Sequence, residues 1–239
     1  MGIEHGGYLE NPERERERVE AVVRAAIALG LYVIVDWHDH RAELHASEAC
    51  RFFEGMAERY ASVPNVIFEL FNEPVDQSWT EVLRPYHQRL VEVIRERSQA
   101  LIILGTRNWS QEVVEAARSP VPGSNLAYAV HFYAATHRAD LRRRVETALS
   151  LGVPLFASEW GTCRCDGDGD LDLEEAAAWL ALLERHGISD ANWAISDKPE
   201  AASAFRPRAT LAPGPEAWPL DQLTESGRFV RASLRGELP

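Results

Sequence analysis

Short strand-like runs, each preceded by a stretch of helical periodicity, recur six times along this chain, and that repetition limits its fold more than any other feature. The runs are residues 31–36, 65–70, 101–105, 126–132, 153–158 and 189–194. In residues 31–36 the apolar side chains are continuous rather than alternating, which predicts a strand buried on both faces, as in a parallel sheet wrapped by helices. A first helix is expected from Pro12, with Asn11 placed to cap it. Val19, Val22, Val23, Ala26 and Ile27 carry its apolar stripe until Gly30 ends it. Further helices are expected at 47–60, 80–97, near 111–117, 139–151 and 172–186, with a closing helix near 224–234. Helical crossovers between parallel strands leave two α/β architectures, an open doubly wound sheet or a closed (β/α)8 barrel.

The placement of polar and aromatic residues separates the two. Trp37, Trp109, Trp160 and Trp193 fall at or just after the C-terminal ends of strands, together with His38, Asn72, Glu73, His131, Tyr133 and Glu159. An open sheet gathers its ligand at a single switch point, whereas here strand after strand offers a group to the same face. The expectation is a TIM (β/α)8 barrel, with residues 1–239 as a single domain.

Charge narrows the partners. Twenty-five Lys and Arg against 37 Asp and Glu leave a formal net charge of -12, which repels phosphate backbones and anionic lipid, so neither nucleic acid nor membrane is expected as a partner. No run approaches the ~18 apolar residues of a membrane span, and residues 1–7 lack the basic and apolar segments of a signal peptide. Cys50, Cys163 and Cys165 cannot all pair with one another, and they suggest no disulfide framework or metal site. The Pro- and Gly-rich residues 206–219 read as a long surface loop.

Two carboxylates dominate the candidate chemistry. Glu73 ends Val66-Ile67-Phe68-Glu69-Leu70-Phe71-Asn72-Glu73-Pro74, and Glu159 lies in Phe156-Ala157-Ser158-Glu159-Trp160-Gly161. At the active face of a barrel, two such groups form an acid and a nucleophile or base aimed at one bond, and retaining glycosidases hold the pair about 5 Å apart. Asn72 offers an amide for a sugar hydroxyl, while His131 and Tyr133, two apart on one strand, point to one side and can hold one carboxylate. Of the four tryptophans, two are expected to stack on sugar faces and two to belong to the core. No cofactor is needed for this chemistry.

Other readings compete. Asp36-Trp37-His38-Asp39-His40 with His45 could supply metal ligands, making a metal-dependent hydrolase the alternative, but the spacing places no third and fourth ligand. The run from Asp166 to Asp172 has a calcium-loop look, yet Leu171 occupies the position that wants glycine and Ala177 the one that wants glutamate. Asp172 serves better as a helix N-cap with Glu175 completing a capping box.

Asp36-Trp37-His38, Phe71-Asn72-Glu73-Pro74, His131-Phe132-Tyr133, Ser158-Glu159-Trp160-Gly161-Thr162 and Ala191-Asn192-Trp193 together resemble glycoside hydrolase family five, particularly its bacterial endo-β-1,4-glucanases, over nearly the whole chain. The resemblance implies a TIM barrel that cleaves internal β-1,4 bonds of cellulose or a related β-glucan with retention. Glu73 then matches the acid/base and Glu159 the nucleophile, with His38, Asn72, His131, Tyr133 and Trp193 as supporting residues. It also matches Lys198 and Glu200 to sugar contacts and Trp109 to an aromatic of the cleft, makes a β-glucan or cello-oligosaccharide the partner, and implies secretion. Family members carry two strands ahead of residues 31–36, the second ending near an arginine that Met1-Gly2-Ile3-Glu4-His5-Gly6-Gly7-Tyr8 would follow. The chain is therefore expected to lack the first strand, its helix and most of the second strand, which invites self-association through exposed barrel edges and leaves a weakened carbohydrate-binding remnant as a further alternative.

Overall fold

The computed structural model describes residues 2–210 and 218–238. Helices and strands alternate in the order α1 (Pro12–Ala28), β1 (Val33–Asp36), α2 (Ala46–Arg59), β2 (Val66–Glu69), α3 (Arg84–Arg95), β3 (Ile102–Leu104), a single turn α4 (Arg107–Ser110), α5 (Val113–Arg118), β4 (Leu126–Tyr133), α6 (Ala139–Ser150), β5 (Leu155–Gly161), α7 (Leu173–His186), β6 (Asp190–Asn192) and α8 (Glu225–Leu234). The sheet runs β1-β2-β3-β4-β5-β6 in chain order, with parallel registers such as Val33 opposite Val66 and Ile102 opposite Leu126. A doubly wound sheet reverses its strand order at the switch point; an unbroken sequential order is that of the TIM barrel.

The chain divides into two compact units, Met1–Val130 with Arg144–Phe156, and His131–Arg143 with Ala157–Pro239. In the first unit, α2 buries Phe52, Phe53 and Met56. Trp37 meets Phe52 with ring centroids 5.7 Å apart and Tyr8 at 5.4 Å, and Phe53 meets Phe68 at 5.9 Å, largely edge-to-face. Ile67, Ile103, Ala127, Ala129 and Phe156 form a separate apolar cluster contributed by strands β2 to β5. A third cluster joins Phe71, Trp79, Tyr86 and His87, whose rings lie 5.5 to 6.5 Å apart.

His87 is fully buried there, and its Nε2 lies 2.9 Å from the Gly105 carbonyl. Burial pushes its imidazole from the ordinary 6.5 down to about 4, against the opposing pull of that hydrogen bond. The unfolded chain therefore takes up a proton near pH 6.5 that the folded chain refuses until about pH 4. The stability this neutral ring contributes is complete above the unfolded value and is lost as pH falls through that window, by about 3 kcal/mol at most. Urea unfolding near neutral pH and near the acid end should show this loss, and His87→Gln should flatten it; an identical slope in both proteins would acquit His87.

In the second unit, Phe132 stacks on Trp160 at 5.7 Å and on Trp179 at 4.0 Å, with ring planes within 10°. Trp160 donates its indole N–H to Asp190 at 2.7 Å and Trp179 donates to the His137 carbonyl at 2.7 Å, so neither buried donor is left unsatisfied. Asp172 caps α7 by accepting from the Glu175 amide, and Thr224 caps α8 by accepting from Gly227. Glu175 does not complete a capping box: its carboxylate pairs with Arg142 instead.

Several expectations are corrected. Asn11 precedes α1 without capping it; its side-chain amide donates to the Gly6 carbonyl. Strand β1 is only partly buried, since Leu31 and Tyr32 precede it as exposed residues and only Val35 within it is fully covered. Two residues beyond β1, His38 forms an isolated parallel bridge with Gly2. The helix expected over 80–97 opens instead with a π-helical turn, Trp79–Leu83, because Pro85 removes a donor at the start of α3. Residues 211–217 of the loop expected at 206–219 lie outside the described residues.

Candidate active site

Glu73 lies in the first unit, in the loop beyond β2, with its side chain 15 % exposed. The backbone around it is fully accounted for. The Asn72 amide donates to the Trp37 carbonyl at 3.1 Å and the Glu73 amide to Asp39 at 3.4 Å. Carbonyl oxygens of four consecutive residues are taken in turn: Asn72 by the Ser110 hydroxyl at 2.9 Å, Glu73 by His40 Nδ1 at 3.0 Å, Pro74 by the Trp109 amide at 2.8 Å, and Val75 by the Asn108 amide at 2.9 Å. Gln77 adds a bond to the Val75 amide and one to the His40 carbonyl. A loop so completely bonded presents its carboxylate from a defined position.

Behind the loop, Gly105 is required by contact: a Cβ there would stand 1.9 Å from the Phe71 carbonyl oxygen. The chain then makes a left-handed turn, with φ of 57°, 54° and 56° at Asn108, Trp109 and Ser110. None of the three is glycine, and each such residue costs about 1 to 2 kcal/mol. Trp109 is 45 % exposed at this turn, whereas Asn72 and Trp37 are buried. His38 is held by Asp36, with Nδ1 2.8 Å from Oδ2. The histidines of residues 36–45 thus serve different partners: His38 meets Asp36, His40 the Glu73 carbonyl, and His45 lies 3.4 Å from Glu4.

Glu159 lies in the second unit, within β5 rather than beyond it, since that strand continues to Gly161. A register shift between Ala157 and Trp160 breaks the simple alternation, and both Ser158 and Glu159 are half-buried between covered neighbours. Tyr133 donates its hydroxyl to Glu159 Oε1 at 2.7 Å, and His131 Nε2 lies 3.0 Å from the Ser158 hydroxyl. Gly161 makes room for this: a Cβ would stand 2.4 Å from the Tyr133 ring. Trp193 is half-exposed and packs against the cluster of Tyr133, Cys163 and Ala202. Lys198 and Glu200 lie on the following loop, exposed and half-buried respectively, their charged ends 4.0 Å apart.

The three thiols are free, and burial raises Cys163 to about 11, a protonated and unreactive form. Four residues that touch the candidate site are not singled out by sequence reasoning: His40 as a partner of the Glu73 loop, Gln77, Ser110 and Ser158. Ser110 and Ser158 each adjoin a singled-out residue, which is the available signal; His40 carries none for this role, because its contact is made across the fold, and Gln77 bonds the Val75 amide locally but reaches the His40 carbonyl only across the fold.

Residues 2–199 match the family model described as Cellulase (glycosyl hydrolase family 5). Endoglucanase Z of Dickeya dadantii (strain 3937) is 44 % identical over 237 residues, covering 98 % of this chain and 53 % of that protein. Endoglucanase A of Evansella cellulosilytica is 41 % identical over 241 residues, covering 98 % of this chain and 49 % of that protein. The chain spans about half the length of these relatives. A solved structure from Cytophaga hutchinsonii, 45 % identical, superposes with a TM-score of 0.95 over 99 % of this chain and 77 % of that one. The catalytic domain of Thermobifida fusca endoglucanase Cel5A, 36 % identical, gives 0.89 over 95 % and 77 %. With a family model matched over most of its length and relatives this similar in both sequence and fold, the chain belongs to glycosyl hydrolase family 5, the cellulase family.

Proposed function

We propose that this protein is an endo-glycosidase that hydrolyses internal β-1,4 bonds of cellulose or a related β-glucan with retention, Glu73 acting as acid/base and Glu159 as nucleophile. The observation that carries the reading is the Tyr133 hydroxyl on Glu159 Oε1 at 2.7 Å. A hydrogen bond to a carboxylate oxygen favours its ionised form, and an ionised carboxylate is what attacks the anomeric carbon. Glu73 then protonates the departing oxygen and afterwards activates water for hydrolysis of the glycosyl-enzyme. Support comes from relatives named endoglucanases and from a variant of the Thermobifida fusca domain solved with cellotetraose.

In this reading His38, Asn72 and His131 orient the carboxylates and the sugar, Trp109 lines the cleft, and Lys198 and Glu200 take hydroxyls beyond the reacting ring. The test is a fall in carboxymethylcellulose viscosity ahead of reducing-sugar release, with the product anomer followed by proton NMR. A product of inverted configuration would overturn the nucleophile role.

Trp193 serves as a sugar platform beside Glu159 on the same proposal, since its ring is half-exposed. Trp193→Ala should weaken substrate or transition-state binding by about 1 to 3 kcal/mol. An unchanged kcat/KM on cello-oligosaccharides would assign the ring to packing alone.

A further inference from the structure

We infer that Ser110, through the left-handed turn it completes, is a positioning residue for Glu73. The inference rests on the proposed acid role of Glu73. Three facts carry it. Asn108, Trp109 and Ser110 adopt positive φ in succession without a glycine among them. The same three residues supply the donors to Val75, Pro74 and Asn72, flanking Glu73 on both sides. And the turn is anchored at its base, where the Ser110 hydroxyl accepts from the Thr106 amide at 3.3 Å and the Thr106 hydroxyl donates to the Ala129 carbonyl at 3.3 Å.

A strained backbone persists only where its surroundings over-determine it, and here the surroundings are the loop that carries the acid. Reversing φ at these residues would turn the Asn108 and Trp109 amides away from the carbonyls they meet. Ser110 closes the arrangement because it is fully buried and bonds both ways, to the turn's own base and to the residue before Glu73. Its hydroxyl touches no reacting atom; it acts by setting where the Glu73 carboxyl stands.

The test compares Ser110→Ala with the parent protein on aryl cellobiosides of graded leaving-group basicity and on cellotetraose, with Glu73→Ala as the control. Misplacing an acid slows substrates that need protonation and spares those that do not. In kcat/KM, which reports the glycosylation step, Ser110→Ala should lose about tenfold on cellotetraose and less than about twofold on a dinitrophenyl cellobioside. Equal slowing of both substrates by Ser110→Ala, while Glu73→Ala discriminates between them, would overturn the inference. Failure of Glu73→Ala to discriminate would instead overturn the acid assignment.

Hydrogen exchange supplies a readout that does not require turnover. Amides of Asn108, Trp109 and Glu73 should exchange at least about tenfold faster in Ser110→Ala, with those of β3 unchanged. Unaltered exchange at all three would overturn the positioning role. Should Ser110→Ala fail to fold, Ser110→Gly removes the same hydroxyl while tolerating the positive φ, and is read by the same criteria.

Discussion

Replacing Glu159 by glutamine is expected to lower kcat on β-glucan by about four orders of magnitude while leaving cello-oligosaccharide affinity within about threefold. Glutamine keeps the shape of the side chain and an oxygen that can still accept from the Tyr133 hydroxyl, so the local packing around Phe132 and Trp160 has no reason to change. What it loses is the negative charge and with it the ability to form the glycosyl-enzyme bond. Isothermal titration with cellotetraose, beside a discontinuous assay of hydrolysis, separates the two effects. A variant that retained a tenth of the parent activity would exclude Glu159 as nucleophile, and one that lost binding in proportion to activity would point to a structural role. Small nucleophiles give a sharper check: azide added to a variant with little negative charge at this position should return product of inverted anomeric configuration.

Much of this arrangement is legible in the sequence, because helical and strand periodicities are local. The six strands fall close to the expected runs, and the sequential parallel order is the one expected from strand after strand carrying a polar or aromatic group at its end. The two glutamates stand out for the same reason, each being a carboxylate that interrupts an apolar or aromatic run.

What escapes is whatever depends on contacts across the fold. Four tryptophans at strand ends look alike in sequence, yet Trp37 and Trp160 are buried while Trp109 and Trp193 reach the surface. The difference comes from neighbours far away in the chain: Tyr8 and Phe52 cover Trp37, and Phe132 covers Trp160. The pattern of residues 153–158 ends a strand at Ser158, since Ser158-Glu159 reads as polar loop; β5 continues to Gly161 because the register shift accommodates both polar residues within the ladder. The left-handed turn at Asn108 to Ser110 has no glycine to announce it, and its cause, a row of carbonyls on residues 72–75, lies more than thirty positions upstream. His40 belongs to the same class: its bonds with the Glu73 carbonyl and with the Gln77 side chain form only when the chain closes on itself.

Glu73→Ala should separate substrates by how much acid they need. The first step of a retaining mechanism breaks the glycosidic bond, and protonation of the departing oxygen matters in proportion to its basicity. For cellotetraose, whose leaving group is a sugar alcohol, the variant is expected to lose about three orders of magnitude in kcat/KM. For a dinitrophenyl cellobioside, whose leaving group departs unaided, glycosylation should proceed within about tenfold of the parent rate. The second step still needs a base, so the glycosyl-enzyme on Glu159 should accumulate and appear as a burst of dinitrophenol followed by slow turnover. Mass spectrometry of the quenched reaction would show the adduct, and azide should relieve the block by giving a glycosyl azide of retained configuration. The bonded loop matters to the size of these effects, since residues 72–75 stay tied to Trp37, His40 and the Asn108–Ser110 turn whatever stands at position 73, and the change is confined to the carboxyl itself. Equal losses on both substrates, with no burst, would remove Glu73 from the acid/base role and leave the chemistry to some other group on the same face.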